Sequence, residues 1–315
     1  MNELNSNGNS FIIVTWNNEN EIFNCIDSIQ KIYGTSCRVI VVDNCSKDKT
    51  VNIVRNNFKW VDVIVSDTNL GFAAANNVAL EKVVSDYVCF LNPDVILTED
   101  IIKPSIESLS KDDCVGVVAC RLKNVDGTNQ QSWFSYVNKW SLMSEILHIG
   151  KIVPSFLRKK YFLNYYVPRG DFYPDWVIGA EMVMRTNDAK QIQGFSTEYF
   201  MYTEDMDLCM KVKRQLKKKI LVLMNISLIH LGGASEGQNI SYNKQEKLIR
   251  NDAYFVKKFY GNSKSKSTIV LAYKATMIRL WLLLIGYWKC DRDVQLNKTK
   301  HLIDIFKKIL RDNLF

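Results

Sequence analysis

At 315 residues, with 47% hydrophobic and 23% charged side chains, the chain has the composition of a globular protein with one large core, or one core and an appendage. Only 14 Gly and 5 Pro argue against long linkers and low-complexity tracts, and no internal repeat is present. The net charge of +8 is uneven: residues 244–315 carry 16 Lys and Arg against 6 Asp and Glu, and the remainder 25 against 27, so a basic tail facing something anionic is expected.

The eight cysteines are scattered and none forms a C-x-x-C pair, which argues against zinc-finger and thioredoxin-like sites. Most fall in apolar runs and read as small core residues of a reducing compartment. The first residues are rich in Asn and Ser, without a basic-then-apolar leader, so a cytoplasmic location is expected.

Residues 11–15 are a short, β-rich apolar run ending at Trp16-Asn17-Asn18, and the spacing of Ile22, Cys25, Ile26 and Ile29 predicts a helix after it. Residues 38–42 form a second buried strand that stops at Asp43-Asn44. Ser46 and Asp48 can cap the helix carrying Val51, Val54 and Phe58. Residues 61–65 make a third strand, followed by Asn69-Leu70-Gly71-Phe72 and an Ala-rich helix. Residues 87–91 make a fourth, ending at Asn92-Pro93-Asp94, and residues 115–119 a fifth.

Strands alternating with helices predict an α/β protein with a mostly parallel sheet covered on both faces. Ligands bind such sheets beyond the carboxyl ends of the strands, where the polar clusters at Thr15 to Asn17, Asp43 and Asn44, Asn69 and Gly71, and Asn92 and Asp94 all fall. No G-x-G-x-x-G or P-loop pattern supplies a phosphate cradle. Asp43 could accept from a pyrimidine N–H, and Asp94 could hold a divalent cation carrying a diphosphate's charge.

Residues 122–175 are dense in aromatics, with Arg158, Lys159 and Lys160 among them; they read as an insertion covering the sheet, with an acceptor-facing or membrane-facing flap as the alternative. Trp176 to Ala180 leads into a further strand, where Gly179-Ala180 permits close approach of a ligand or backbone. The stretch Tyr199-Phe200-Met201-Tyr202-Thr203-Glu204-Asp205-Met206-Asp207 then places three carboxylates behind an aromatic run. It reads equally as an acidic helix N-terminus and as carboxylates at the rim of a partly dry pocket, where a raised pKa makes a general base. A last strand over residues 220–224 and the run 226–229 lead to His230, before Gly232-Gly233. Ligand and core roles for this histidine stay level.

Taken together, the motifs Val14 to Asn17, Val42 to Ser46, Asn69 to Asn77, Leu91 to Asp94, Asp175 to Ala180, Phe200 to Cys209 and His230 to Gly233 resemble, in order, the inverting glycosyltransferase family 2 of GT-A fold. Within it they are most similar to rhamnosyltransferase-like enzymes that build bacterial surface polysaccharides. The resemblance implies a GT-A (Rossmann-like) catalytic domain over residues 1–237, with a basic helical extension over 238–315. It implies donor contacts from Thr15, Trp16, Asn17, Asp43, Asn44, Asn69, Gly71, Asn77, Asn92 and Asp94, and a Mg²⁺ or Mn²⁺ ion held by Asp94 and His230. Asp205 becomes the catalytic base with Glu204 beside it. Trp176, Gly179, Ala180 and Glu204 shape the acceptor site. Departures are Trp16 for Tyr, Asn92 for the first Asp of D-x-D, Gln193 and Lys217 at glycine positions, and Glu181, which puts a charge beside the acceptor pocket.

The expected function is inverting transfer of a sugar, rhamnose from dTDP-rhamnose, onto a lipid-linked or polysaccharide acceptor; UDP-hexose or UDP-galactofuranose donors are the alternative. A basic nucleic-acid-binding protein is the competing class, but the tail interleaves long apolar runs with its lysines and no basic groove is evident. Oligomeric state stays open. Residues 238–260 read as a helix and 263–267 as a polar break. Residues 269–288, interrupted by Lys274 and Arg279, read as an amphipathic helix on an anionic membrane surface, with Trp281, Tyr287 and Trp288 at headgroup level.

Overall fold

The computed structural model describes residues 8–232, 241–286 and 291–312. Ten strands are present: β1 (Asn9–Thr15), β2 (Arg38–Asp43), β3 (Asp62–Val65), β4 (Tyr87–Leu91), β5 (Val95–Leu97), β6 (Val115–Lys123), β7 (Trp133–Phe134), β8 (Trp176–Val177), β9 (Glu181–Arg185) and β10 (Lys219–His230). The helices are α1 (Ile22–Tyr33), α2 (Thr50–Asn57), α3 (Phe72–Lys82), α4 (Ile102–Lys111), α5 (Lys139–Ile146), α6 (Ser155–Tyr161), α7 (Thr186–Gln191), α8 (Glu204–Lys211), α9 (Ser241–Tyr260), α10 (Asn262–Leu284) and α11 (Arg292–Arg311). The chain divides into two compact units, Met1–Phe134 with Pro168–Gln238, and Ser135–Val167 with Asn239–Phe315.

The first unit is built on an eight-stranded sheet of order β3-β2-β1-β4-β9-β6-β10-β5. β1 pairs in parallel with β2 and β4, β2 with β3, and β6 with β10, while β9 runs antiparallel to β4 and β6, and β5 antiparallel to β10. Side chains alternate across a strand. Phe11, Ile13, Val39, Val41, Cys89 and Leu91 therefore share one face and pack with Ile22, Cys25, Ile26 and Ile29 of α1 and Leu109 of α4. Each such burial contributes roughly 1.5–3 kcal/mol. On the other face Phe90 meets the edge of Phe195 at 5.0 Å, and the buried alanines of α3 (Ala73, Ala75, Ala79) let that helix lie close to β1 and β2. The sheet is thus mostly parallel with helices on both faces, as expected from the strand–helix alternation.

Some local expectations change. The last strand in the chain is one element to His230, with register shifts between Lys219 and Ile220 and between Leu223 and Ser227, rather than two runs. Gln193 and Lys217, which stand at glycine positions of the resembled family, keep left-handed backbones with φ of 58° and 59°. The left-handed conformation costs an L-residue about 1–2 kcal/mol, so the turns there are demanded by the fold and not chosen by those side chains. Among the described residues the seven cysteines are free thiols. Burial pushes the thiols of Cys25, Cys89, Cys120 and Cys209 up, away from reactivity.

The second unit is not the C-terminal extension alone. Residues 135–167, part of the stretch 122–175 read from sequence as a cover for the sheet, pack with α9, α10 and α11. Ile146, Ile249, Ala253, Ile269, Ala272, Phe306 and Ile309 form its core. α5 starts at a capping box, in which the Asn138 carboxamide oxygen accepts from Trp140 N (2.9 Å) and Ser141 N (3.2 Å), while Asn138 N donates to Ser141 Oγ (2.9 Å). The polar break expected at 263–267 is absent. The chain turns at Gly261, with φ 90°, and α10 begins at Asn262; Ser265 Oγ donates to Ala253 O (2.7 Å) and ties the new helix to α9.

Candidate active site

The carboxyl ends of β1, β2 and β4 share one edge of the sheet, and a cleft of about 330 Å³ opens there. Its walls come from the ends of the first four strands: Thr15, Trp16 and Asn18 at β1, Asn44 after β2, Asn69, Gly71 and Phe72 between β3 and α3, and Asn92 to Asp94 after β4. Ile178 to Ala180, Phe200 to Tyr202, Glu204, Asp205 and His230 complete it.

One wall is a carboxamide clip. Asn44 Nδ2 donates to Asn69 Oδ1 (2.9 Å), Leu70 N to Asn44 Oδ1 (2.7 Å) and Gly71 N to Asn69 Oδ1 (2.9 Å). Gly71 has φ +81°, and a Cβ there would lie 2.6 Å from Phe200 O, so glycine is required for the Phe200 segment to close over the cleft.

The opposite wall is the start of α8. Tyr202 and Thr203 both have left-handed backbones, φ 72° and 77°, immediately before Glu204 and Asp205. Two such residues in succession cost of order 1–3 kcal/mol each, and strain of this kind gathers at functional sites. It aims the first turn of α8 into the cleft. Asp205 Oδ2 accepts from Gly179 N (3.1 Å) and Oδ1 from Met206 N (2.8 Å). Enclosure of the carboxylate outweighs these two hydrogen bonds and pushes its pKa up to about 6. Glu204 is buried and lines the same wall. Asp207 faces away: it is fully buried and accepts from Tyr199 Oη (3.0 Å) and Ser196 Oγ, which anchors the stretch from beneath.

At the third wall, the antiparallel β5–β10 pair sets Val95 opposite His230. This brings the His230 Nε2 to 3.3 Å from Asp94 Oδ1. Gln130 Oε1 lies 2.7 Å from His230 Nδ1. A carbonyl oxygen can only accept, so Nδ1 carries a proton and Nε2 presents its lone pair to a carboxylate oxygen, unless a proton or a cation sits between them. Two protein ligands of this kind fit a Mg²⁺ or Mn²⁺ ion that takes its remaining ligands from phosphate and water. Gln130 has no motif of its own in the sequence; only its position against His230 singles it out.

Not every residue picked from the sequence reaches the cleft. Asp43 is buried behind it, where its carboxylate accepts from Thr15 Oγ1 (3.2 Å) and Ser46 N (3.0 Å) and braces the loops after β1 and β2. Asn17 has φ 54° and uses its Oδ1 to accept from Lys47 N (2.8 Å); Asn18 lines the cleft in its place. Asn77 exchanges two hydrogen bonds of 2.8 Å with the backbone of Phe195. Trp176 stacks on Phe134 at 4.8 Å. In each case the motif residue holds the scaffold; beside Asn17 and Asp43 it is the adjacent residue, Asn18 or Asn44, that faces the site.

Glu181 also departs from expectation. It is 1% exposed, outside the cleft lining, with Oε2 accepting from Cys120 N (2.7 Å) and Oε1 buried without a partner. Burial pushes its pKa up to about 8, so it is neutral at pH 7 and puts no charge beside the acceptor pocket. A carboxyl raised on folding contributes stability that is complete below its unfolded pKa and is lost as pH rises through the folded one. The wild type should therefore lose up to about 5 kcal/mol between pH 4.5 and pH 9, and Glu181→Gln should be spared most of that loss. Urea unfolding at the two pH values checks this; an identical pH slope in both proteins would place the Glu181 proton elsewhere.

The family described as Glycosyl transferase family 2 matches residues 10–165. The chain is 28% identical over 188 residues to the rhamnosyltransferase WbbL of Escherichia coli, covering 56% of this chain and 66% of that protein. It is 25% identical over 184 residues to the N-acetylglucosaminyl-diphospho-decaprenol L-rhamnosyltransferase of Mycobacterium tuberculosis, covering 54% of this chain and 59% of that one. The structure resembles Staphylococcus aureus TarS 1–349 in complex with UDP, at 21% identity and TM-score 0.51, over 85% of this chain and 70% of that chain. It also resembles the mannosyltransferase PcManGT of Pyrobaculum calidifontis in complex with GDP-Man and Mn²⁺, at 14% identity and TM-score 0.57, over 97% and 87% of the two chains. These likenesses are of fold, and the fold is that of the GT-A glycosyltransferases. With the motif order of its sequence, the cleft at the strand ends and the matched domain all agreeing, the chain belongs to glycosyl transferase family 2.

Proposed function

We infer that the protein is an inverting glycosyltransferase that moves rhamnose from dTDP-rhamnose to a hydroxyl of a lipid-linked glycan. The observation that carries the reaction type is Asp205: one enclosed, hydrogen-bonded carboxylate of raised pKa in a cleft whose far wall holds the Asp94–His230 pair. Inversion needs only one base. As the acceptor hydroxyl attacks the anomeric carbon, Asp205 takes its proton, and the nucleoside diphosphate leaves from the opposite face. Thr15, Trp16, Asn44 and Asn69 line the end of the cleft suited to the nucleoside, and Ile178 to Ala180 the side nearest the base. A divalent cation at Asp94 and His230, when bound, neutralises the leaving diphosphate.

The sugar and acceptor rest on the two relatives named as rhamnosyltransferases, one of them acting by name on a sugar held on decaprenyl diphosphate. A UDP-sugar donor is the second reading, favoured by 29% identity over 123 residues to the poly(ribitol-phosphate) β-N-acetylglucosaminyltransferase TarS of Staphylococcus aureus. Thermal unfolding with Mn²⁺ and a panel of sugar nucleotides separates them. A ligand at 100 times its Kd stabilises the folded state by about 2.7 kcal/mol, and dTDP-rhamnose should do so where UDP-sugars at equal concentration do not. Stabilisation by a UDP-sugar alone would transfer the assignment to the second reading.

A further inference from the structure

α10 is packed inside out. Its buried positions are mostly small or hydroxylated: Ser265, Thr268, Ile269, Ala272, Ala275, Thr276 and Leu283. Its bulkiest apolar residues face solvent instead. Met277, Ile278, Trp281, Leu284 and Ile285 are 42%, 49%, 59%, 56% and 59% exposed. With exposed Lys274, they recur at i, i+3, i+4, i+7, i+10 and i+11, which is one continuous stripe along a helix. Packing within the second unit explains the small residues and leaves the stripe without a use.

The helix is apolar and long enough to cross a membrane by composition, yet 33% of its most apolar window is buried, and it packs against α5, α9 and α11. Arg279, the charge that interrupts the apolar run, turns inward. Its guanidinium donates to Ile146 O (3.0 Å) and Gln295 Oε1 (2.7 Å), so it fastens α10 to its neighbours. A helix held on three sides offers one stripe, which suits lying in an interface better than spanning it. The N-terminal part of α10 adds exposed Lys264 and Lys266.

The geometry points to docking of this stripe on an anionic lipid surface. Trp281, Leu284 and Ile285 enter the acyl boundary, while Lys264, Lys266 and Lys274 meet the headgroups. The charge decides between occupants. A second copy would bring the same basic tail, 16 Lys and Arg against 6 Asp and Glu over residues 244–315, against itself, whereas an anionic leaflet complements it. The flanking residues Tyr287 and Trp288 lie outside the described residues. This inference does not depend on which sugar is transferred.

The test is co-sedimentation of the full-length protein with vesicles of 30% phosphatidylglycerol in phosphatidylcholine, and with phosphatidylcholine alone. The wild type should sediment with the anionic vesicles only and be partly released by high salt, because salt screens the lysines and leaves the apolar contacts. Trp281→Ser with Leu284→Ser should cut the bound fraction at least tenfold. Each of Lys264→Gln, Lys266→Gln and Lys274→Gln should weaken binding about fivefold. Donor binding and transfer to a short soluble acceptor should be unchanged in all four variants, which also reports that they fold. Equal binding to both vesicle types, no binding at all, or resistance to carbonate extraction would overturn the proposal. So would a dimer in sedimentation equilibrium that the serine variant dissolves, since the occupant would then be a second copy. Loss of soluble transfer in the wild type would instead strike the proposed reaction and leave the vesicle result standing.

Discussion

Asp205→Asn should fold, bind donor and transfer about 10²–10⁴-fold more slowly. The carboxylate is held by Gly179 N on one oxygen and Met206 N on the other; an asparagine has one acceptor oxygen and keeps one of these two hydrogen bonds, enough for the wall of the cleft to survive. What is lost is basicity. Enclosure pushes the Asp205 pKa up to about 6, so the side chain is roughly nine-tenths ionised at pH 7 and is a stronger proton acceptor than an exposed aspartate. The wild-type rate should accordingly fall below pH 6, about tenfold per pH unit. Stability runs the other way. Because the folded pKa is raised, the contribution of Asp205 is complete below pH 4 and is lost as pH rises through about 6. Removing the charge should leave the protein as stable at pH 7, or slightly more so. Single-turnover rates and chemical unfolding on the same preparation check both parts. Near-normal turnover by the variant would remove Asp205 from the chemistry, and Asp207 would not replace it, because Tyr199 and Ser196 already hold it beneath the helix.

Asp94→Ala and His230→Ala should each abolish metal-dependent donor binding, a larger loss than the 10–100-fold expected for Gln130→Ala, which acts one step removed. The order follows from the contacts. Asp94 Oδ1 and His230 Nε2 face each other at 3.3 Å, while Gln130 touches only the far nitrogen of the ring. Losing Gln130 leaves both ligands but frees the imidazole to turn and to carry its proton on either nitrogen. Titration of Mn²⁺ followed by electron paramagnetic resonance, with nucleoside diphosphate present, reads binding directly and needs no turnover. Gln130→Glu should recover much of the Gln130→Ala loss, since a carboxylate also accepts from Nδ1. If all three alanine variants bind Mn²⁺ as the wild type does, the pair is a structural clamp between β5 and β10 and the diphosphate must be held by other groups.

Much of the site was legible because a parallel sheet collects the ends of distant strands at one edge. Once residues 11–15, 38–42 and 87–91 read as buried parallel strands, the polar residues after them had to meet, whatever lay between. The acidic stretch was legible for a different reason. Aromatic residues directly before carboxylates predict enclosure, and enclosure is what raises the pKa of Asp205. The misplacements share one cause. A motif marks a segment, and within a turn, strand or helix adjacent side chains point in different directions. Asp43, Asn17, Asn77 and Trp176 lie in the right segments and brace them, while Asn18, Asn44 and Ile178 face the cleft.

By itself the sequence determined the alternation of buried strands with helices, the edge of the sheet that carries the cleft, and the carboxylates at the head of α8, because these rest on local periodicity and on residue chemistry. The tertiary structure alone decided the rest. The pairing of Asp94 with His230, and of His230 with Gln130, depends on strands brought together from far apart in the chain, and no local pattern encodes that register. Whether Glu181 carries a charge depends on the depth of its burial, which a residue name does not state. Residues 135–167 join α9, α10 and α11 because apolar faces bury against whichever partner the whole chain supplies. For the same reason composition could mark α10 as apolar, but only its packing shows that Arg279 turns in and Trp281 turns out.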